Sequence, residues 1–163
     1  MLPRGESKSN VPFLPKPIAC NGCPAENVGK SYVPGEGPKD ARVAFIGQGP
    51  GEREAYTGRP FVGPSGERFN TWLNRAGLQR SEYYVDNIVR CWLPKDRAPK
   101  KVEADFCYNV HIYPSLSSLD SCEVIVPVGV PSAKQLTGTG GEKYVGSIFT
   151  GELRTQVQTA RSE

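Results

Sequence analysis

The chain has 163 residues, of which 37% are hydrophobic, and this length favours one compact domain over two. Its 18 glycines and 15 prolines predict a loop-rich molecule. The apolar runs exclude a disordered chain, and the absence of a three-residue glycine repeat excludes collagen. A net charge of +3 permits a nucleic-acid partner without requiring one. No apolar stretch is long enough for a membrane span or a secretory signal. We therefore expect a monomeric, cytoplasmic protein with no membrane partner.

The chain divides into three segments of different composition. Residues 1–17 are polar and interrupted by prolines, which predicts a flexible leader. Residues 18–150 carry the apolar runs and form the predicted domain. Residues 151–163 form a polar tail without an apolar stripe.

The predicted domain alternates β-prone runs with helical patterns. Strands are predicted at residues 42–46, 83–91 and 124–129, and helices at residues 67–76, 101–119 and 131–136. Pro114 should kink or end the second helix near Tyr113, because proline lacks an N–H and its ring clashes with the preceding turn. This alternation predicts an α/β fold with a mainly parallel sheet.

Four of the five cysteines are spaced as metal ligands. Cys20 and Cys23 form a Cys-x2-Cys pair, and Cys91 and Cys107 form a second, wider pair. Without an export signal, clustered cysteines bind metal or carry out redox chemistry more often than they form disulfides. Thiolates suit either tetrahedral zinc or an iron–sulfur cluster, and burial as small apolar residues is a third interpretation. Cys122 has no partner at ligand spacing and is predicted to be structural.

A glycine-rich turn, GQGPG at residues 47–51, follows the first predicted strand, where open α/β sheets place their ligands. The turn lacks the lysine and the serine or threonine of a P-loop. Arg53 and Glu54 break the dinucleotide-binding pattern G-x-G-x-x-G. Taken alone, the turn indicates only that the backbone approaches another group closely.

Three motifs taken together resemble a known family. They are GQGPGERE at residues 47–54, TGRPFVGPSG at residues 57–66 and NIVRCWLP at residues 87–94, followed by RAP at residues 97–99. In this order, and with the four paired cysteines, they resemble the iron–sulfur uracil-DNA glycosylases of prokaryotes, usually called family 4. The resemblance runs from about Cys20 to Leu136. It implies a three-layer α/β sandwich and hydrolysis of the N-glycosidic bond of uracil in DNA.

The resemblance also implies a cofactor and roles for individual residues. Phe61 would stack on the uracil ring, and Asn87 would read the uracil edge, since an amide offers a donor and an acceptor together. Glu54 would lie near C5 of the base and help to exclude thymine, with a solvated loop residue as the alternative interpretation. Gln48 and Asn87 are the predicted catalytic pair. The residues that would face uracil O2 and the sugar are Gly47, Gln48 and Gly49, and the ligands of the implied [4Fe-4S] cluster are Cys20, Cys23, Cys91 and Cys107.

The chain departs from the family pattern at two places. Gln48 stands where many members have glutamate, so water activation must come from another group. The family has a His-Pro-Ser motif after a further strand, and nothing after Leu136 matches it. Two explanations stay open: a chain that stops before the motif, or a diverged member that has lost it. The single histidine, His111, lies in a helical pattern and is predicted to be a partly exposed structural residue.

The expected partner is uracil-containing DNA, bound through lysine and arginine contacts to phosphates. The main alternative is a catalytically impaired or polymerase-associated member that keeps the cluster and binds DNA, with a replication or repair protein as a further partner. A small zinc-binding interaction module is the third class of function.

Overall fold

The structure is a computed structural model that describes residues 13–138. Residues 1–12 of the predicted leader, residues 139–150 of the predicted domain and the predicted tail at 151–163 lie outside the described residues. Within the described part of the chain, no helix is long and apolar enough to cross a membrane.

Three parallel strands form the central sheet. Strand β2 (Val43–Gly47) lies between β3 (Tyr84–Asn87) and β5 (Val124–Pro127), and both pairings are parallel. Gly47 of β2 is opposite Asn87 of β3, so the two strands end together. This arrangement confirms the predicted α/β class and places the glycine-rich turn at the carboxyl edge of the sheet.

The prediction of one strand over residues 83–91 is wrong at its carboxyl end. Strand β3 stops at Asn87, and β4 (Cys91–Trp92) pairs antiparallel with β1 (Lys30–Tyr32) in a second, two-stranded sheet. The residues between the two strands are also buried, and a continuous apolar run does not reveal where a chain leaves a sheet.

Five α-helices occur in the described residues. The second and fifth confirm the helices predicted at residues 67–76 and 131–136. The first was not predicted; it has only 6 residues and ends at Gly58, whose left-handed conformation (φ 70°) stops it. The five are α1 (Glu52–Thr57), α2 (Pro64–Arg75), α3 (Lys101–Cys107), α4 (Tyr113–Ser117) and α5 (Val130–Thr137).

Of the two outcomes predicted at Pro114, an end of the helix near Tyr113 is wrong, because the chain stays helical through Ser117, while a kink there stays a prediction. A π-helical segment, Tyr108–Ile112, joins α3 to α4. The wider π turn comes immediately before Pro114, whose ring would otherwise clash with the carbonyl four residues earlier. The chain therefore accommodates the proline without leaving the helix.

Helices cover both faces of the sheet. Ala44 and Ile46 of β2 belong to a core that also contains the helical stretch from α3 to α4. Phe45, between them, points to the opposite face, where its ring meets Phe69 of α2 edge-on with centroids 5.0 Å apart. The predicted three-layer sandwich is therefore confirmed.

Residues 13–17, the described part of the predicted leader, contact the domain. The ring of Phe13 stacks on Tyr56 with centroids 5.4 Å apart, and the Leu14 N–H donates to Ser31 Oγ at 3.1 Å. Lys16 Nζ donates to a backbone carbonyl of the cysteine loop at 2.6 Å.

Candidate functional site

The carboxyl ends of β2 and β3 border a cleft of about 500 Å³. Its walls come from the glycine-rich turn, the start of α2 and the chain that follows β3. Open α/β sheets bind ligands at this edge. The residues that line it include Gln48, Gly49, Gly51, Glu54, Ser65, Val89 and Arg97.

Gly47, Phe61 and Asn87 meet at the carboxyl edge of the sheet, directly before the turn that lines this cleft. A Cβ added to Gly47 would lie 2.5 Å from Asn87 Oδ1 and 2.6 Å from Phe61 Cζ, distances that a real Cβ does not reach. Asn87 and Phe61 are 3% and 8% exposed. The structure thus brings an amide, an aromatic ring and a bare backbone into one corner, and only glycine at position 47 permits this approach.

Phe61 is held in an unusual conformation by its neighbours. Its φ of 56° lies in the left-handed region, which non-glycine residues seldom occupy. The Arg80 guanidinium donates to the carbonyl of Phe61 at 2.9 Å and also to that of Pro60. Glu36 accepts from Arg80 at 2.8 Å and from Arg59 at 3.0 Å. No sequence motif pointed to Arg80 or Glu36, because both lie far along the chain from the loop that they hold.

Glu54 is buried, so its interpretation as a solvated loop residue is wrong. It lies on α1, and its Oε1 accepts the N–H groups of Val62 at 3.1 Å and Gly63 at 2.8 Å. The carboxylate therefore fixes the loop that follows Phe61. Its predicted place near uracil C5 stays a prediction.

Gln48 and Gly49 pack against the chain that leaves β3. The Val89 N–H donates to the Gln48 carbonyl at 3.3 Å, and a Cβ added to Gly49 would lie 2.9 Å from Val89 Cγ2. The Gln48 side chain is half-buried and faces the cleft. It can hydrogen-bond to a water or a sugar there, but an amide cannot take up a proton.

The four paired cysteines line one cavity in a second region of the molecule. They come from the loop before β1, from β4 and from the end of α3, and all four are free thiols. The cavity wall is otherwise largely apolar. Its lining includes Cys20, Cys23, Cys91, Cys107, Ala25, Val89, Leu93 and Phe106.

The donor set of this cavity fits a metal centre. Burial raises the pKa of Cys91 to about 11 and also raises the pKa of Cys107, so a cationic centre is needed to hold these sulfurs as thiolates. A Cβ added to Gly29 would lie 2.5 Å from Cys91 Sγ, so glycine leaves room for the sulfur. The Ala25 N–H donates to Cys23 Sγ at 3.4 Å, as backbone amides do to metal-bound thiolates.

Four thiolates around one cavity fit either a tetrahedral zinc ion or an iron–sulfur cluster. Among residues 13–138, the side chains do not form a ready-made site for a single metal ion. The donor set therefore indicates a thiolate-bound metal centre of either kind.

His111 is buried, at 8% exposure, which corrects its prediction as partly exposed. Its Nε2 lies 3.2 Å from Cys20 Sγ, a residue 91 positions away, and its Nδ1 lies 3.3 Å from the Tyr32 hydroxyl. Burial and the nearby Arg90 lower the pKa of His111 to about 4, so the ring is neutral at pH 7. This contact joins segments too distant for any local sequence pattern to connect.

Comparison with known proteins decides the family. The model of the uracil DNA glycosylase superfamily matches residues 34–159, most of the chain. The chain belongs to the uracil DNA glycosylase superfamily.

Curated relatives narrow the similarity within the superfamily. The chain is 37% identical over 110 residues to a type-4 uracil-DNA glycosylase of Thermotoga maritima, and the aligned residues make up 68% of the chain and 56% of the relative. It is 33% identical over 124 residues to a type-4 uracil-DNA glycosylase of Pyrobaculum aerophilum, and here the alignment includes 76% of the chain and 62% of the relative. The matched part of the chain thus spans little more than half the length of these relatives.

In this superfamily member, a buried ion pair links the cleft to the cysteine cavity. Arg90 Nη2 lies 2.5 Å from Asp86 Oδ2, and both side chains are almost fully buried. Asp86 Oδ1 accepts the backbone N–H of Asn87 at 2.8 Å, while Arg90 precedes Cys91. Tyr84 also donates to Asp86, at 2.9 Å. The family motif at residues 87–94 contains Arg90, but its partner Asp86 lies just outside and was not predicted.

Proposed function

We propose that this chain is a uracil-DNA glycosylase, which hydrolyses the N-glycosidic bond of uracil in DNA. The observation that carries the proposal is the meeting of Gly47, Phe61 and Asn87 beside the cleft. An enzyme that acts on a base must take the nucleotide out of the duplex, stack the base and read its edge. One aromatic ring and one buried amide at the edge of a parallel sheet meet these two needs.

The proposed roles follow from the chemistry of each group. Asn87 donates to uracil O4 and accepts from N3–H, and Phe61 stacks on the ring. Backbone N–H groups of the turn at residues 47–51 face O2, where negative charge develops as the bond breaks. The water oxygen forms a bond to C1′ as the C1′–N1 bond breaks. The electron pair of that bond leaves with the uracil, and the water proton passes to solvent. Gln48 orients that water by hydrogen bonding and does not act as the base.

We further propose that the cysteine cavity holds a [4Fe-4S] cluster. Four sulfur donors that line one cavity support a thiolate-bound centre, and the resemblance to the iron–sulfur uracil-DNA glycosylases supports a cluster over zinc. When bound, the cluster supplies four iron–thiolate links among the amino-terminal loop, β4 and α3. Hydrolysis of a glycosidic bond transfers no electron, so the proposed role is structural. Its ligands would be Cys20, Cys23, Cys91 and Cys107.

The second candidate function is binding of DNA without cleavage, with a replication or repair protein as partner. The observation that favours it is Gln48, which cannot serve as a carboxylate base. The only histidine of the chain lies against Cys20 and Tyr32 in the cysteine region, so it does not supply the missing base in the cleft.

The test of the proposed function is release of uracil from DNA. Protein purified without oxygen is incubated with single- and double-stranded oligonucleotides that carry one uracil, and alkali then breaks the strand at each abasic site. We expect breakage at uracil and none in matched oligonucleotides with thymine. Intact strands from iron-loaded protein that still binds the oligonucleotide would favour the second candidate.

A further inference from the structure

A chain of hydrogen bonds leads from the buried ion pair to one of the cysteines. Arg90 Nη1 donates to the Tyr32 hydroxyl oxygen at 2.9 Å. That hydroxyl lies 3.3 Å from His111 Nδ1, and His111 Nε2 lies 3.2 Å from Cys20 Sγ. We propose that His111 donates an N–H···S hydrogen bond to the cluster-bound sulfur of Cys20, in a tautomer that Arg90 selects through Tyr32. The inference rests on the proposed cluster and is independent of glycosylase activity.

The direction of these hydrogen bonds follows from Arg90, where the series begins. A guanidinium has five N–H donors and no acceptor, so the Tyr32 oxygen must accept from Arg90. The Tyr32 O–H is then free to donate, and the neighbouring Nδ1 of His111 accepts it. A cluster-bound thiolate has no proton to donate, so the 3.2 Å contact with Cys20 Sγ places the N–H on Nε2, while Nδ1 accepts from Tyr32.

Arg90 cannot turn away from this role, because the rest of its guanidinium is already bound. Asp86 accepts from Nη2 at 2.5 Å and from Nε at 3.2 Å, and Ser115 Oγ accepts from Nη2 at 2.7 Å. The Tyr32 ring also packs against the His111 ring, with centroids 5.3 Å apart. The direction of the chain is therefore set by a buried and fully engaged ion pair.

A hydrogen bond to a ligand sulfur withdraws electron density from it. Hydrogen bonds to the sulfurs are among the factors that set the reduction potential of an iron–sulfur cluster. The bond from His111 stabilises the more negative, reduced state and so raises the potential. It also ties the first cysteine loop to the π-helical segment Tyr108–Ile112 that carries His111.

The tautomer can be read directly, because the chain has one histidine. Untagged, iron-loaded protein labelled with ring-¹⁵N histidine yields one pair of ring nitrogens by NMR. Nε2 is recognised by its couplings to both carbon-bound ring protons, whereas Nδ1 couples strongly to only one. We expect the directly bonded proton on Nε2. A proton on Nδ1, or on both nitrogens, would overturn the inference.

Two substitutions test the effect of the bond on the cluster. His111→Leu removes the donor, whereas His111→Gln keeps an N–H near the position of Nε2. We expect the reduction potential of the cluster to shift downward in His111→Leu and to stay close to the parent value in His111→Gln. Equal potentials in all three proteins would overturn the inference. If His111→Leu does not fold, Tyr32→Phe keeps the ring, removes the hydroxyl and should lower the fraction of Nε2–H in the NMR experiment.

Iron and acid-labile sulfide are measured on every sample, which separates the inference from the proposals beneath it. A parent protein without iron would overturn the cluster and this hydrogen bond together. A parent protein with a full cluster and no uracil release would overturn the glycosylase proposal alone. A full cluster with the wrong tautomer would overturn the role of His111 alone.

Discussion

The cleft and the cysteine cavity are built in opposite ways. The cleft depends on backbone that comes unusually close to its neighbours, with glycine at positions 47 and 49 and a left-handed Phe61. The cavity depends on side chains from three distant segments that surround an apolar space. A site made of backbone is lost when a Cβ is added, whereas a site made of sulfur donors is lost when a donor is removed.

The two regions share one short stretch of chain. Asn87 lies beside the cleft, Cys91 lines the cavity, and the ion pair of Asp86 and Arg90 lies between them. The stretch leaves one sheet after β3 and enters the other at β4. Substitutions at the cavity, within the ion pair and beside the cleft therefore test whether the regions can fail separately.

The largest expected effect comes from a cavity ligand. Cys107→Ser should abolish the brown colour and reduce bound iron to background, and the melting temperature should fall because a group that binds only the folded state stabilises it. Iron analysis and thermal unfolding measure both changes. Cys122→Ser is the matched control, since that thiol lies outside the cavity, and it should keep its iron. Equal iron in both variants would contradict the assignment of the cavity.

The next largest effect is expected from the buried ion pair of Asp86 and Arg90. Asp86→Asn leaves the Arg90 charge buried without its partner, which costs about 3–5 kcal/mol of the free energy of unfolding. Denaturant unfolding measures it. Arg42→Gln, which breaks the exposed pair with Glu123, should change the free energy of unfolding far less, because solvent screens that pair. Similar losses in the two variants would mean that Asp86 and Arg90 do not support the fold as described.

A smaller effect is expected at the cleft. Arg80→Met removes the donors that hold the carbonyls of Pro60 and Phe61, so the stacking ring should be less well positioned for uracil. We expect kcat/KM for uracil release to fall about tenfold, equivalent to about 1.4 kcal/mol. Bound iron should not change. Arg59→Gln, which contacts the same Glu36 from the exposed side, should have a weaker effect. An equal loss of kcat/KM in both variants would mean that removal of a positive charge causes the loss, and not a change in the loop that carries Phe61.

The smallest expected effect depends on pH. Burial alone would raise the pKa of Glu36, but hydrogen bonds from Arg59 and Arg80 outweigh it and lower the pKa. A carboxylate with a lowered pKa stabilises the folded state above its unfolded value of about 4.3, and this contribution is lost as the pH falls through the folded value. Glu36→Gln should therefore be less stable than the parent by about 1 kcal/mol at pH 7. Denaturant unfolding at several pH values should show the gap closing below about pH 4; a gap independent of pH would refute this.

Local patterns were enough to predict the sheet and two of the helices. Alternating β-prone and helical runs identified β2, β5, α2 and α5, because those elements are regular and are bounded by glycine or proline. The motifs also led to Gly47, Phe61 and Asn87, which the structure brings together. The cysteine spacing identified four residues that line one cavity.

Long-range side-chain contacts could not be predicted in this way. Nothing local to His111 indicates that it meets Cys20 and Tyr32. Arg80 looks like an ordinary surface arginine until its guanidinium is seen beneath the Phe61 loop. The end of β3 at Asn87 was missed for a related reason, because the chain passes from one sheet to another without leaving the interior.

Uracil release and bound iron, measured on one preparation of Asn87→Ala, test the central claim most directly. Asn74→Ala, an exposed asparagine on α2, serves as the matched control. Loss of the amide beside the cleft should reduce kcat/KM for uracil release about 10²–10³-fold, while iron and sulfide stay at the parent level. Release at the parent rate by Asn87→Ala would contradict the assigned site.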